Sequence, residues 1–309
     1  MTAHASSRFV FATRRSQLAL AQSRKFAAQI AQIDPGIRVE ELQVVTTGDR
    51  IQDRPLTDIG GKGLFVKEIE EALLDGRADF AVHSIKDVPA LLAPGLRIAC
   101  VPKRVDPRDV LVSRVGRPLQ QLPPGTRLGT SSLRRSAHLK AIRPDLVIAP
   151  LRGNVDTRLR KVREGVVDAT ILAYAGLIRL GLEHVVTQIL EPDVSLPAIG
   201  QGALGIECRD GDDRTITLLA RLHDPETAVA VAVERGVMLE VEGSCKIPVA
   251  AHAHRRGDGR MHLRAMLADA DGSRCAFVEH TLAWPPDEQE ASRFGREVGR
   301  QLKARQAAM

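Results

Sequence analysis

Apolar positions along the chain follow two different periods, which alternate from segment to segment. Continuous apolar runs, such as those at 9–12 and 80–82, predict buried strands because polar residues bound them closely on both sides. Between such runs, apolar residues recur at every third or fourth position, as Leu18, Phe26 and Ile30 do in the helix predicted over 17–33. Strands that alternate with helices indicate α/β domains, each with a parallel or mixed sheet and helices on both faces.

This alternation occurs twice and then gives way to another pattern. The first stretch predicts strands and helices at 8–13, 17–33, 39–47, 64–74, 78–83 and 96–101, with a returning strand at 203–208. The second predicts them at 110–113, 127–129, 132–142, 146–151, 155–164, 169–173 and 177–189. The last stretch predicts a helix over 226–241, strands at 249–254, 262–267 and 275–281, and a charged terminal helix. We therefore predict three domains, formed by residues 1–102 with 200–222, by 103–199 and by 223–309.

Amino-acid composition favours a globular protein without membrane-spanning segments. An apolar content of 44% is enough for real cores, and no apolar run approaches the length of a membrane span. The polar start of the chain does not resemble a signal peptide. We therefore expect a cytoplasmic protein with no membrane partner. No pattern indicates an obligate subunit interface, so we expect a monomer.

The cysteines and histidines do not predict a metal site. The four cysteines form no CxxC pair, and the cytosol would keep them reduced. His252 and His254 would lie on one face of a strand, but no cysteine or acidic residue follows closely enough to complete a ligand set. We interpret that pair as part of a solvated strand face. Cys100 and Cys208 stand in apolar runs and are predicted to be core residues.

The basic charge comes mainly from arginine. The net charge is +6 and the pI is near 9.4, with 35 arginines among the 44 basic residues. Codon bias in a GC-rich genome explains many of them, and nucleic-acid binding is the alternative. Aromatic residues make up only 3% of the chain, which leaves few platforms for stacked bases, and the basic residues form no single stripe. We therefore predict no nucleic-acid partner.

Two glycine-rich segments resemble nucleotide-binding motifs only superficially. Residues 200–205 match GxGxxG, but they precede a predicted strand, whereas the dinucleotide motif opens a helix. Residues 60–63 lack the spacing and the hydroxyl group of a P-loop. They stand in a long polar loop, for which a lid over a site and a plain mobile loop are equally good interpretations.

Cationic side chains follow several predicted strands at the point where each strand ends. Ligands of open α/β sheets bind outside the carboxyl ends of the strands, and guanidinium groups bind carboxylates through paired hydrogen bonds. The sequence therefore predicts a cleft for a ligand with several carboxylates, with the carboxylate of Asp87 among the cations. The cations of this set are Arg14, Lys86, Arg134, Arg135, Arg152 and Arg158.

Each of these motifs also has a purely structural interpretation. At 130–135, small hydroxyl residues enter a helix whose first N–H groups favour an anion, and two other strand ends repeat this chemistry, so an anion site is favoured over a plain helix cap. Asp87 taken alone is better explained as a helix cap or as a surface partner of Lys86. Cys245, taken by its spacing alone, is better explained as an ordinary loop cysteine, although Lys246 favours its thiolate.

Taken together, these segments resemble the porphobilinogen deaminase family, whose members are also called hydroxymethylbilane synthases. The resemblance covers nearly the whole chain, and it is specific because several unusual motifs occur in the family's order. The motifs are Ala12-Thr13-Arg14-Arg15-Ser16, Gly60-Gly61-Lys62-Gly63-Leu64-Phe65, residues 83–89, residues 129–135, Leu151-Arg152-Gly153-Asn154, residues 196–205 and residues 242–245.

The resemblance implies a fold, a cofactor and a reaction. The first two domains would resemble the two α/β lobes of type II periplasmic binding proteins, with the active cleft between them, and the third would be a small α+β domain. A dipyrromethane cofactor would be attached to Cys245 through a thioether. The enzyme would be a transferase that adds four porphobilinogen molecules in turn, losing ammonia each time. Water would then release the linear tetrapyrrole hydroxymethylbilane, an intermediate of porphyrin and haem biosynthesis.

The resemblance also implies roles for individual residues. Catalysis would depend on Asp87, with Lys86 and Arg14, because a carboxylate beside the pyrrole N–H stabilises the cation that forms as ammonia leaves. Besides Cys245, the cofactor contacts would be Ser84, Lys86, Asp87, Thr130, Ser131, Ser132, Arg134, Arg135 and Arg152. The substrate contacts would be Arg14, Ser16, Lys62, Phe65, Arg152, Arg158, Arg179 and Gln201.

A two-lobed polyanion-binding protein without catalysis is the alternative from another class. Periplasmic proteins of that kind carry a signal peptide, which we do not expect here. A thiol on a third domain would also have no purpose in such a protein. The enzyme is therefore the favoured hypothesis.

Overall fold

A computed structural model of the chain describes residues 7–50, 66–241, 247–269 and 271–309. The chain divides into two compact units, one spanning Met1–Lys103 with Ala203–Ala228 and the other spanning Arg104–Gly202 with Val229–Met309. The strands are β1 (Ser7–Arg14), β2 (Ile37–Val44), β3 (Phe80–Ser84), β4 (Leu96–Cys100), β5 (Asp109–Ser113), β6 (Arg127–Gly129), β7 (Val147–Ala149), β8 (Ala169–Ala173), β9 (Gln188–Leu190), β10 (Leu204–Arg209), β11 (Val249–Arg255), β12 (Met261–Ala268) and β13 (Cys275–Leu282). The helices are α1 (Gln17–Ile33), α2 (Thr47–Arg50), α3 (Lys67–Leu74), α4 (Leu133–Ile142), α5 (Val155–Arg163), α6 (Tyr174–Leu180), α7 (Asp213–Ala220), α8 (Pro225–Glu240) and α9 (Glu288–Ala307).

The first unit is built on a mixed five-stranded sheet in the order β2-β1-β3-β10-β4. Strand β1 pairs in parallel with β2 and β3, and β10 enters antiparallel between β3 and β4. Helix α1 covers one face because its apolar positions fall on one side, and Phe26 and Ile30 are buried as predicted, whereas Leu18 is only half-buried. On the other face, α3 buries Ile69 and Leu73.

The second unit contains two sheets. The order β7-β6-β8-β5-β9 repeats the arrangement of the first unit, because β5 enters antiparallel between β8 and β9 just as β10 enters between β3 and β4. The antiparallel sheet β11-β12-β13 packs against α8 and α9 around a core that includes Val233, Leu263 and Val298. Two α/β sheet domains and a small α+β part are therefore confirmed. The residue boundaries of the three predicted domains stay a prediction.

Some predicted elements differ in the structure. The prediction of one helix over 177–189 is wrong. Helix α6 ends at Leu180 and is capped by Gly181, whose φ of +67° suits a residue without a Cβ, and β9 occupies the end of that range. The strand predicted at 146–151 shortens to β7, and α7 was not predicted. The returning strand at 203–208 is confirmed as β10. Because the glycine-rich segment 200–205 leads into β10, which begins at Leu204, and not into a helix, rejection of the dinucleotide motif is also confirmed.

Cys100 and Cys208 are buried as predicted, but the histidine pair is not fully solvated. Burial raises the pKa of the Cys100 thiol to about 12 and that of the Cys208 thiol to about 11. The prediction of a solvated strand face is wrong for His252, which is buried and stacks on His254 with 5.2 Å between ring centroids. Burial lowers the pKa of His252 well below its usual value, and the charge of Arg104 acts in the same direction.

The described residues contain neither a candidate membrane span nor a candidate metal site. None of their helices combines the length and the apolar character that a bilayer span requires. No group of histidine, cysteine and acidic side chains among them is arranged to hold a metal ion.

Candidate active site

The turn after β3 presents two charged residues, Lys86 and Asp87, at the surface of the first unit. A single 3-10 turn follows the strand, and Ile85 anchors it, because its side chain is buried and its N–H donates to Ala203 O at 3.1 Å. Gly205 on the neighbouring strand leaves room for the Ile85 side chain, which a Cβ at that position would strike. The Asp87 carboxylate is therefore exposed at the carboxyl end of a strand, on a well-anchored turn.

Arg14, Ser84 and Asp87 line one pocket of the first unit. The Ser84 hydroxyl donates to Gln22 Oε1 at 3.1 Å and so connects the end of β3 to α1. The full lining is Arg14, Ala19, Gln22, Val66, Ile69, Val82, His83, Ser84 and Asp87. The structure thus places a guanidinium, a hydroxyl and a carboxylate around one concave surface. Ser16 instead caps α1, since its Oγ accepts the Ala19 N–H at 3.2 Å, and its role in substrate binding stays a prediction.

Two polar residues of this pocket, Gln22 and His83, were not identified as site residues from the sequence. Gln22 occupies the buried face of α1 between Ala19 and Phe26, where the helical period leads one to expect an apolar residue. A polar residue at such a position is a signal that could have found it. His83 follows the apolar residues 80–82 in β3, and its residue type is the only signal it carries.

In the second unit, the hydroxyl groups at the start of α4 hold the local backbone. Ser132 caps the helix by accepting the Arg135 N–H at 3.4 Å, and Thr130 Oγ1 accepts the Ser132 N–H at 3.2 Å. Ser131 Oγ lies 3.1 Å from both the O and the N of Leu151, which joins the ends of β6 and β7. The structural interpretation of these hydroxyls therefore has direct support, and their predicted cofactor contacts stay a prediction.

Arg134 and Arg135 converge on one buried carboxylate, that of Asp109 at the start of β5. Arg134 Nη1 donates to Asp109 Oδ2 at 2.9 Å, and Arg135 Nη2 donates to Oδ1 at 2.7 Å. Ser195 Oγ and Gln201 Nε2 donate to the same carboxylate at 2.7 and 2.9 Å. We call these five residues the Asp109 cluster. Sequence reasoning missed Asp109, although an acidic residue that opens an apolar strand is an uncommon feature.

The Asp109 cluster is a strongly coupled ionic site. Burial alone would raise the pKa of the Asp109 carboxyl, but the charges and hydrogen bonds of Arg134 and Arg135 outweigh it and hold that pKa well below its usual range. The carboxylate therefore contributes stability that is fully present above the pKa of an unfolded aspartate and is lost only as the pH falls through the lower folded value. No pH dependence from this group is expected near neutrality.

Asp109→Asn is expected to lower the free energy of unfolding by about 3–5 kcal/mol, because it leaves two buried guanidinium groups without a counter-charge. Urea unfolding at pH 7 measures the change. Glu164→Gln is the matched control, since Glu164 is exposed and lies 3.9 Å from Arg160, and its effect should stay below about 1 kcal/mol. Equal effects of the two substitutions would contradict the cluster's role in stability.

The remaining predicted cations of the second unit belong to turns and short helices. Arg158 Nε donates to Gly153 O at 2.8 Å across the turn between β7 and α5, where Arg152 is half-buried. Arg179 Nη2 donates to Gly202 O at 2.8 Å. Their binding roles stay predictions. Three predicted site residues lie outside the described residues: Lys62, Phe65 and Cys245.

Comparisons with known proteins agree with this set of motifs. A family model described as "Porphobilinogen deaminase, dipyromethane cofactor binding domain" matches residues 9–217, and one described as "Porphobilinogen deaminase, C-terminal domain" matches 228–304. The chain belongs to the porphobilinogen deaminase family. The resemblance predicted from the sequence is therefore confirmed, the family's cofactor is the predicted dipyrromethane, and a binding protein without catalysis is not favoured.

Individual relatives are similar over most of their length. A porphobilinogen deaminase from Sorangium cellulosum is 62% identical over 94% of this chain and 97% of its own. One from Syntrophotalea carbinolica is 51% identical over 98% of this chain and 94% of its own. Among solved structures, the alkanesulfonate-binding protein SsuA from Xanthomonas axonopodis pv. citri bound to MOPS shares 13% identity, with a TM-score of 0.38, over 78% of this chain and 76% of its own.

Proposed function

We propose that the chain is a hydroxymethylbilane synthase, a transferase that joins four porphobilinogen molecules with loss of ammonia and releases the linear tetrapyrrole by hydrolysis. The observation that carries the proposal is the pocket that holds the exposed Asp87 carboxylate and Arg14, in a chain that both family models match. The proposal includes a monomer that works in the cytoplasm on a small-molecule substrate, without nucleic acid or membrane as partner.

Asp87 and Arg14 have different roles in the pocket of the first unit. Porphobilinogen carries two carboxylates, and the Arg14 guanidinium binds one of them through charge-assisted hydrogen bonds. The Asp87 carboxylate accepts a hydrogen bond from the pyrrole N–H, which becomes more acidic as the ring gains positive charge on loss of ammonia. A fixed negative charge at that atom stabilises the cationic transition state more than the neutral substrate, and this difference raises the rate. Lys86 lies beside Asp87 and adds positive charge for the substrate's carboxylates.

The second unit suits the carboxylates of a dipyrromethane. The Asp109 cluster contains two guanidinium groups and one carboxylate, and the excess positive charge favours binding of a carboxylate ligand. The cofactor would be attached to Cys245. Its carboxylates would be bound by Arg134, Arg135 and Arg152, together with Thr130–Ser132 at the start of the helix. When bound, the cofactor supplies the pyrrole carbon to which the first substrate unit is added. The substrate units would be bound by Arg158, Arg179, Gln201, Ser16, Lys62 and Phe65.

Incubation of the purified protein with porphobilinogen tests the proposal. We expect release of ammonia in proportion to the porphobilinogen consumed, and a product that cyclises and oxidises in acid to a coloured porphyrin. Heat-treated protein is the control for spontaneous condensation. Consumption of porphobilinogen at the rate of the heated control, with the wild-type protein folded, would contradict the proposal.

Arg152→Leu is expected to reduce the fraction of protein that carries the cofactor and to lower kcat/KM by about ten- to hundredfold, the loss typical of a hydrogen bond to a charged group. Intact-protein mass and steady-state kinetics measure the two effects. Arg160→Leu on α5 is the control, because the Arg160 side chain is 59% exposed and should tolerate the change. Unchanged cofactor content and kinetics in Arg152→Leu would remove this arginine from the site.

A further inference from the structure

A buried histidine–glutamate pair has no role in the function proposed above, and its histidine, His83, lines the pocket of the first unit. His83 on β3 and Glu207 on β10 belong to neighbouring antiparallel strands, and His83 Nε2 lies 2.9 Å from Glu207 Oε2. Only 5% and 1% of their side-chain surfaces are exposed. Two ionisable groups therefore face each other in the interior, where an unpaired charge would be costly.

The hydrogen-bonding capacity of the pair is not fully used. His83 Nε2 and Glu207 Oε2 are close, but their geometry does not form a well-aligned hydrogen bond. Glu207 Oε1 is also buried, and it has no hydrogen-bond partner within the part of the chain that the structure describes. Buried polar atoms are normally paired, and exceptions call for an explanation such as a catalytic role.

Charged groups of β1, of the turn after β3 and of α3 lie near the pair. His83 shares the pocket with Asp87, from the turn after β3, and with Arg14, from the end of β1. Glu70 of α3 interacts electrostatically with both members of the pair. Burial and then the charge of Glu207 raise the pKa of the Glu70 carboxyl, whereas His83 lowers it. Carboxylates from three elements and one guanidinium thus lie around a single imidazole.

We propose that His83 accepts the proton that each addition of a substrate unit sets free, and that Glu207 is a positioning residue that holds the imidazole and stabilises its cation. The inference rests on the proposed function, in which each addition breaks the C–N bond of the protonated aminomethyl group and forms a C–C bond. The electron pair of the broken bond stays on nitrogen, which leaves as ammonia. The hydrogen on the ring carbon that receives the new bond leaves as a proton, with its electron pair returning to the ring. His83 takes that proton and passes it to ammonia or water.

The test is the pH dependence of kcat/KM of the cofactor-loaded enzyme, for the wild type, His83→Gln and Glu207→Gln. The wild type should lose activity on the acidic side as the imidazole becomes protonated. In His83→Gln, kcat should fall on the order of 10²-fold and that acidic limb should disappear. In Glu207→Gln the limb should move to lower pH, because the imidazole becomes a weaker base without the carboxylate. KM and the cofactor mass on the protein should stay at wild-type values.

A purely structural role of the pair predicts different results. Both substitutions would then lower stability or cofactor content, while the remaining activity kept the wild-type pH profile, and that outcome overturns the proposal. If His83→Gln does not fold, the pH profile of Glu207→Gln, which keeps the side-chain shape, distinguishes the two roles in the same way.

Added imidazole provides a second measurement on His83→Ala. Activity that rises with imidazole concentration supports a base at this position, and activity that stays flat contradicts it. A wild type that releases no ammonia from porphobilinogen contradicts the proposed function instead, so the two failures are distinguishable.

Discussion

Asp87→Asn is expected to fold, to keep its cofactor and to lose nearly all turnover, with kcat reduced on the order of 10²- to 10⁴-fold. Asparagine has the size and shape of aspartate but lacks the negative charge that stabilises a cationic pyrrole. The Asp87 side chain is exposed on a turn that the buried Ile85 anchors, so the substitution should leave the fold unchanged. Steady-state kinetics measure the loss, and intact-protein mass measures the cofactor.

Asp75→Asn is the matched control for this experiment. Asp75 also lies in the first unit, its side chain is 62% exposed, and it pairs with Arg77 at 3.3 Å. Its removal should leave kcat unchanged, because a surface ion pair of this kind contributes little. A kcat of Asp87→Asn within a few-fold of the control would remove Asp87 from the mechanism.

Cys245→Ser is expected to abolish both the covalent cofactor and the activity. The wild-type protein should be heavier than its sequence by two linked pyrrole units, and the serine variant should have the mass of the bare chain. A serine hydroxyl is a much weaker nucleophile than a thiol, so it should not form the equivalent bond. Mass spectrometry of the intact protein, with an acidic aldehyde colour test for pyrroles, measures the result.

Cys275→Ser is the control, because Cys275 is half-buried in β13 and burial raises the pKa of its thiol to about 11. Few such thiols are ionised at neutral pH, and the same holds for Cys100 and Cys208, so the described cysteines are poor nucleophiles. Cys275→Ser should keep the added mass. An unmodified wild type with full activity would refute the anchor altogether.

Sequence reasoning was most successful where the signal is local. The helix predicted over 17–33 is α1 with the same bounds, since an unbroken apolar period, a serine cap and Asp34-Pro35-Gly36 all act within a few residues. It failed at 177–189, where a short helix, a turn and a strand follow one another and their apolar residues happen to fall at helical spacing. Apolar periodicity over such short elements does not distinguish a helix from a strand.

The candidate site shows the same limit. The order of the motifs was enough to predict the family, and strand-end positions were enough to predict that Arg14 and Asp87 would lie at the carboxyl edge of one sheet. Nothing local indicated that Arg134 would meet Asp109, which is 25 residues away in the chain, or that His83 would meet Glu207.

The sequence by itself therefore determined the class of fold, the family and the residue types available for binding an acidic ligand, because these depend on patterns between close neighbours. Only the tertiary structure decided which charges are buried, which are paired and which reach a pocket. Pairing between β3 and β10, or between β5 and β8, joins segments that are far apart in the chain. The electrostatic environment of each ionisable group is set by those distant contacts, and no local pattern contains them.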